Sequence, residues 1–303
     1  MQEGFVAVNH IATHVVCWGG WLNNNHKHKE LVLCIPGNPG VTGYYTSFLE
    51  TVYSNLGIPV WVICHAGHEL PPQGDNLRTS TNCSGVYGLQ EQINHKVAFI
   101  EKYVPADVKI YLIGHSIGCQ LVLEALKHAN IRSKVKKCYL LFPTIERLAT
   151  SPNGKFLTNL ILPVVPVIVF LAWIFALLPM TVRRGLLHVY FAVRRSRDDA
   201  INATLDLIDP TVLRNVFFFA ADEMSRVVDL DCEVLISNCD ILFLYYGTTD
   251  GWAPLQYYKE LQKSCPQVKS AVCKENFEHA FVLSCSKDVG NMVSDWIKEE
   301  RAK

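Results

Sequence analysis

Ser116 is the residue on which a reaction could be built. It stands in Gly114-His115-Ser116-Ile117-Gly118, between a strand-like run, Val108–Ile113, and a helix-like run, Cys119–His128. A hydroxyl is a weak nucleophile at neutral pH and needs a base beside it. A strand, a tight turn and a helix together lift a serine clear of a sheet edge, the arrangement of a nucleophile elbow. Side chains flanking such a turn would strike neighbouring backbone, and glycine at 114 and 118 avoids that. The helix N-terminus behind the serine favours developing negative charge. The implied chemistry is attack on an acyl carbon.

The base and its orienting acid follow in the order Ser, Asp, His. Ile241–Tyr246 is a short apolar and aromatic run ended by Gly247, a buried strand by pattern. Asp250 lies just past it, in Gly247-Thr-Thr-Asp-Gly-Trp252. Gln267–Cys273 reads as the last strand, His279 follows it, and Ala280–Ser284 begins the final helix. The expected roles are attack by Ser116, proton transfer through His279 and orientation of the imidazole by Asp250. Singly, Asp250 also reads as a turn residue and His279 as a cap or packing residue. Their common placement after strand ends favours chemistry. Asp240 precedes its strand and so falls at the wrong end of the sheet. Asp222 sits with Glu223 in a helical stretch and reads as solvated.

A loop for the oxyanion is present as well. Leu31–Ile35 is an apolar strand followed by Pro36-Gly-Asn-Pro-Gly40. The backbone N–H groups of Asn38 and Ile117 are the expected donors, against the plainer reading of a Pro-Gly turn.

Several segments together resemble a known family. Ile35-Pro-Gly-Asn-Pro-Gly40, Cys64-His-Ala-Gly-His68, Gly114-His-Ser-Ile-Gly118, Leu141-Phe-Pro-Thr-Ile-Glu-Arg147, Ser151-Pro-Asn-Gly154 and Tyr245-Tyr-Gly-Thr-Thr-Asp250 are similar to those of the lipid droplet-associated hydrolases of the α/β-hydrolase superfamily. The likeness covers nearly the whole chain, and the Pro-Gly-Asn-Pro-Gly and Phe-Pro-Thr-Ile-Glu-Arg segments are its most discriminating parts. It implies a site on lipid droplets and the endoplasmic reticulum. It also implies hydrolysis of neutral lipid esters of cholesteryl ester or acylglycerol type, cholesteryl esters in particular. The family's triad and oxyanion positions fall on Ser116, Asp250, His279 and Asn38. Gly251 after the acid and Phe277-Glu278 before the histidine depart from the family's pattern at positions expected to vary.

The elements that must position these residues fit an α/β architecture: an α/β-hydrolase fold with a mostly parallel central sheet flanked by helices. Phe5–Val8 and His14–Trp18 read as a leading antiparallel pair, with a polar turn from Asn23 to Lys29. Val60–Cys64 is the next parallel strand and Tyr139–Phe142 the one after the elbow helix. Residues 88–103 make an amphipathic helix with Ile93, Val97 and Ile100 on one face. A chain of 303 residues suffices for one such domain. Its expected division is a core of 1–146 and 237–303 and a cap insertion of about 147–236.

Composition narrows the class. The formal net charge of +0 gives no field for nucleic acid. The 11 cysteines are scattered without Cys-x-x-Cys pairs, which argues against a disulfide framework or zinc site. His65 and His68, with neither a carboxylate nor a third histidine expected nearby, suit a structural or gating role better than a metal. No metal or cofactor is expected. The N-terminus lacks a basic stretch and long apolar core, so a cytosol-facing, unsecreted protein is expected. Asn82-Cys-Ser84 and Asn202-Ala-Thr204 match glycosylation sequons but mean little in such a setting.

Residues 156–180 are uncharged, and from Leu160 onward they carry no polar side chain. Lys155 precedes them; Arg183, Arg184, Arg194, Arg195 and Arg197 follow. Pro163 and Pro166 are expected to break the helix, leaving 167–178 as a rod of roughly 18 Å at 1.5 Å per residue. That is short of a bilayer core of about 30 Å. The segment is expected to lie, bent, in one leaflet or in a droplet monolayer, through Leu160, Val167, Val169, Phe170, Trp173, Ile174 and Phe175. A buried pair of cap helices is the alternative. Two further functions share these motifs: a droplet scaffold with little turnover, and an acyltransferase or thioesterase using the same acyl-enzyme.

Overall fold

The strand-like runs of the sequence become strands of one sheet. A computed structural model describes the chain apart from residues 23–27, 73, 74, 76, 78–84 and 195–199, and the side chains of 193 and 194. The polar turn at 23–29, the sequon at 82–84, and Arg195 and Arg197 therefore lie wholly or partly outside the described residues. Strands β1 (Gln2–Val8) and β2 (Ile11–Trp18) pair antiparallel. They join through Asn9 and His10, whose φ values of 47° and 61° give a left-handed turn that matches strand twist.

The chain continues through β3 (Glu30–Ile35), α1 (Thr46–Leu56), β4 (Val60–Ile63), α2 (Leu89–Tyr103), β5 (Lys109–His115), α3 (Ile117–Leu126) and β6 (Val135–Leu141). Four longer helices come next: α4 (Pro152–Ala176), α5 (Met180–Arg194), α6 (Ala200–Leu207) and α7 (Pro210–Arg226). The core then closes with β7 (Leu242–Tyr246), α8 (Leu255–Ser264), β8 (Lys269–Val272) and α9 (Ser286–Arg301). A separate turn of helix, Phe281–Ser284, precedes α9, so the final helix begins later than expected.

The eight strands lie in the order β1-β2-β4-β3-β5-β6-β7-β8. β2 meets β4 antiparallel, and every pair from β4 to β8 is parallel. Parallel strands need helical crossovers that cover both faces, which explains why β3, β4 and β5 are almost wholly buried. Leu33, Trp61 and Leu112 pack on one face with Phe99 of α2 and Leu121 of α3. Val62 and Ile113 pack on the other with Phe48 of α1 and Val293 of α9. Ser116, Asp250 and His279 all follow the C-terminal ends of parallel strands, the edge where this kind of sheet places ligands.

The long apolar helix departs from expectation. It does not break at its prolines. Residues Pro152–Ala176 run as one helical path of 25 residues. The path passes through a π turn at Leu157–Ile161 and a 3₁₀ turn at Leu162–Val164 before the α segment Val165–Ala176. Pro163 and Pro166 each sit in the first turn of a new segment, where a missing N–H leaves no ladder bond unmade. At 1.5 Å per residue the path is roughly 37 Å long, about twice the rod expected and longer than a bilayer core of about 30 Å. Only 6% of its most apolar 18-residue window is buried. Leu160, Val167, Phe170, Trp173 and Ile174 are exposed. Val169 and Phe175 are half-buried, and Phe175 packs against the cluster of Leu187 and Phe191 on α5.

Candidate active site

The elbow is built by close packing around Ser116. Its backbone sits at φ 54° and ψ −125°, a conformation rarely populated by a residue with a side chain. The Ser116 N–H donates to the Leu141 carbonyl at 3.0 Å, which ties the strained residue to β6. A Cβ on Gly118 would stand 2.2 Å from the Ile35 carbonyl oxygen, so only glycine lets α3 approach β3 this closely. A Cβ on Gly114 would stand 2.9 Å from Cys119 Cα, and one on Gly37 would stand 2.8 Å from Ser116 Cβ. Gly37 thereby lets the loop after β3 lie against the serine.

The three residues read from the sequence meet here. Ser116 Oγ is 2.9 Å from His279 Nε2, and His279 Nδ1 is 2.7 Å from Asp250 Oδ2. Asp250 Oδ1 accepts the N–H groups of Trp252 at 2.7 Å and Ala253 at 3.2 Å. Burial pushes the Asp250 carboxyl up, but the His279 hydrogen bond and charge and these two N–H groups outweigh it. The carboxyl is held below its ordinary value and stays ionised. An ionised carboxylate only accepts, so Nδ1 carries the proton and Nε2 is left to accept from the serine.

His115 fastens these parts to one another. Its Nε2 lies 2.8 Å from the His279 carbonyl oxygen and must be the protonated nitrogen, since a carbonyl cannot donate. Nδ1 therefore accepts from Tyr45 Oη at 2.6 Å, and Tyr45 Oη in turn accepts the Gly37 N–H at 2.8 Å. Burial, and then the charge of His279, pushes the His115 imidazole down to about 3, so this clamp stays neutral. One relay thus links the loop after β3, the elbow and the loop after β8. No local pattern marks Tyr45, because its partner is 70 residues away.

The loop Pro36–Gly40 runs beside the elbow. Asn38 Nδ2 donates to the Val216 carbonyl at 3.1 Å and to Glu223 Oε1 at 3.3 Å, which fastens the loop to α7. The backbone N–H groups of Asn38 and Ile117 are not spent on any acceptor among the described residues. A cavity of about 430 Å³ opens in front of Ser116, walled by Asn38, Leu157, Phe217, Glu223, Trp252 and Leu283 among others.

A family model described as lipid-droplet associated hydrolase matches residues 28–282. The chain belongs to that family. It is 44% identical to the lipid droplet-associated hydrolase of Drosophila melanogaster, over 99% of each chain. The Gallus gallus and Homo sapiens proteins of that name are 36% and 33% identical, each over 100% of this chain and 97% of the relative. Among solved structures, a thermophilic esterase from Thermogutta terrifontis superposes with a TM-score of 0.62 at 14% identity, over 99% of each chain. The thioesterase domain from the curacin biosynthetic pathway superposes with a TM-score of 0.61 at 13% identity, over 97% and 99%. At such identities these structures speak for the fold, which is the α/β-hydrolase fold. Membership makes the chain a hydrolase.

Two features of this hydrolase differ from the sequence reading. Asp222 is not simply solvated: its carboxylate accepts the Leu89 N–H at 2.7 Å, capping α2, and pairs with Arg226 at 2.8 Å. His65 and His68 do have a carboxylate and a third histidine near them. Glu69 accepts the Thr42 N–H and pairs with His14 at 2.9 Å, while buried Lys96 of α2 acts on His65 through its charge and buried His95, itself kept neutral by burial, lies close by. Burial, and then the charge of Lys96, keeps His65 neutral. Among the described residues no cluster of these side chains could hold a metal ion. Glu223, the neighbour of Asp222, is buried in the cavity wall.

Proposed function

We propose that this chain is a serine esterase that hydrolyses neutral lipid esters at the lipid droplet surface. The unbroken run of hydrogen bonds from Ser116 through His279 to buried Asp250 carries this reading. Ser116 Oγ attacks the ester carbonyl as its proton passes to His279 Nε2. The imidazolium so formed sits against ionised Asp250. The oxyanion is met by the N–H groups of Asn38 and Ile117, the latter at the N-terminus of α3. His279 then returns the proton to the leaving alcohol, the acyl group stays on Ser116, and a water activated by the same histidine releases it. Nothing in these steps calls for a metal or organic cofactor.

The approach to lipid follows from the cap, residues of about 147–236. Leu157 of α4 lines the cavity, and the same helix goes on to present Phe170, Leu171 and Trp173 outward, each more than half exposed. An apolar face of this size seeks hydrocarbon. Lys155, Arg183 and Arg184 lie near the ends of the apolar stretch, in reach of anionic headgroups of a droplet monolayer or the endoplasmic reticulum. Relatives are named for the lipid droplet, which supports the same placement here. Both the cytosol-facing orientation and the cholesteryl ester or acylglycerol substrates belong to this reading.

The test is release of fatty acid from emulsified neutral esters by purified protein beside Ser116→Ala. Release by the unchanged protein, lost in Ser116→Ala, is expected. Equal release by both would assign the activity to something other than this site.

A further inference from the structure

The cavity wall is apolar except at a few points, and two of those points stand together. Glu223 of α7 is 5% exposed, and its Oε1 accepts from Asn38 Nδ2 at 3.3 Å while Oε2 has no partner. The Val216 carbonyl fixes which end of the Asn38 amide is the nitrogen, because only an N–H can face it. That leaves Asn38 Oδ1 buried and also without a partner. Both residues line the cavity that holds Ser116. Buried polar atoms left unpaired are uncommon and invite a ligand that pairs them.

No cation pairs with Glu223 among the described residues. Burial raises its carboxyl to about 8, with the Asn38 hydrogen bond opposing and the charge of Asp222 adding to the rise. A protonated carboxyl has one donor. With Oε1 already accepting, that donor is Oε2–H. The pair therefore offers one donor and one acceptor, the complement of a hydroxyl group.

We propose that Glu223 Oε2 and Asn38 Oδ1 form a hydroxyl subsite, and that the substrate is a polyol ester keeping a free hydroxyl beside the scissile bond, a partial acylglycerol. This rests on reading the cavity as the ester pocket. Asn38 would then serve twice, its backbone N–H towards the ester oxygen and its side-chain oxygen towards the hydroxyl. Both atoms belong to one residue, so the hydroxyl must sit within a few bonds of the ester, as it does on the adjacent carbon of glycerol. A sterol ester has no hydroxyl to offer and would leave both buried atoms unpaired.

Binding tests this without turnover. The Ser116→Ala protein in detergent is titrated with a monoacylglycerol and with its di-O-methyl ether of the same chain. The ratio of the two affinities is compared between variants, which cancels each lipid's own partition into micelles. Adding Glu223→Leu, or Glu223→Met should the first fail to fold, is expected to reduce that ratio about tenfold. Glu223→Gln keeps a donor and an acceptor and is expected to hold the ratio. An unchanged ratio in the apolar variant, or equal weakening of both lipids, overturns the subsite. Because no ester is cleaved, loss of the subsite and loss of the esterase reading register in different experiments.

Discussion

Replacing Glu223 by glutamine should stabilise the protein, by an amount that grows with pH. In the unfolded chain this carboxyl titrates at its ordinary value of 4.5, while in the fold it is raised to about 8. A group whose folded value is raised holds its proton in the fold at pH values where the unfolded chain has lost it. Its unfavourable contribution is absent in mild acid, grows as pH rises through 4.5, and levels off above 8. Each pH unit in that window is worth about 1.4 kcal/mol, so the penalty at pH 7 is about 3 kcal/mol. Glutamine keeps the acceptor for Asn38 Nδ2 and cannot ionise, so it removes the penalty. Asp222 is the charge that acts on Glu223 among the described residues, and it stays in place. Melting by fluorescence in detergent, with both proteins at pH 5, 6, 7 and 8, is the assay. The variant should melt about 5–10 °C higher at pH 7 and nearly level with the parent at pH 5. A difference independent of pH, or a variant less stable at pH 7 than its parent, would refute the reasoning that this carboxyl is held neutral by its site.

Three further outcomes are expected from the same structure. Tyr45→Phe leaves the Gly37 N–H and His115 Nδ1 unpaired in a buried relay; it should lower stability by about 2–4 kcal/mol, read by denaturant melts, and slow Ser116 acylation. Gly118→Ala forces a Cβ against the Ile35 carbonyl, with no flexible side chain to give way; soluble yield should collapse, where Gly185→Ala in the open on α5 should not. Trp173→Asp with Leu177→Asp places two charges on the outward apolar face and should lower partition onto phospholipid-coated triolein droplets at least about a hundredfold in flotation, with folding retained.

The lie of the candidate site could be read in the sequence because each of its parts follows a strand end. A strand has a strong local signature, and the fold fixes the role of the residues just past its C-terminal end. Ser116, Asp250 and His279 could therefore be placed without any contact being known. The same logic pointed to the loop after β3, which lies against the elbow. What escaped were residues whose meaning lies in a partner far along the chain. Asp222 reads as one more helical carboxylate until the start of α2 is found above it. Glu223 looks like its neighbour's equal, and only the helix's rotation turns one towards an N-terminus and the other into the cavity. His115 was visible as part of the elbow, but its role as a clamp needs Tyr45 and the His279 carbonyl. The long apolar helix was misjudged for a different reason. Proline is penalised in a helix interior, and nothing local revealed that π and 3₁₀ turns would make each proline the start of a new segment.

The central claim is that Ser116 is made nucleophilic by His279 and Asp250. Fluorophosphonate labelling measures this most directly, with the purified protein beside Ser116→Ala and Asp250→Asn, each with and without phospholipid-coated droplets. The parent should label, Ser116→Ala should not, and Asp250→Asn should label about 10³–10⁴-fold more slowly while remaining folded. A folded parent that does not label in either condition, or an Asp250→Asn protein that labels at the parent's rate, would contradict the account.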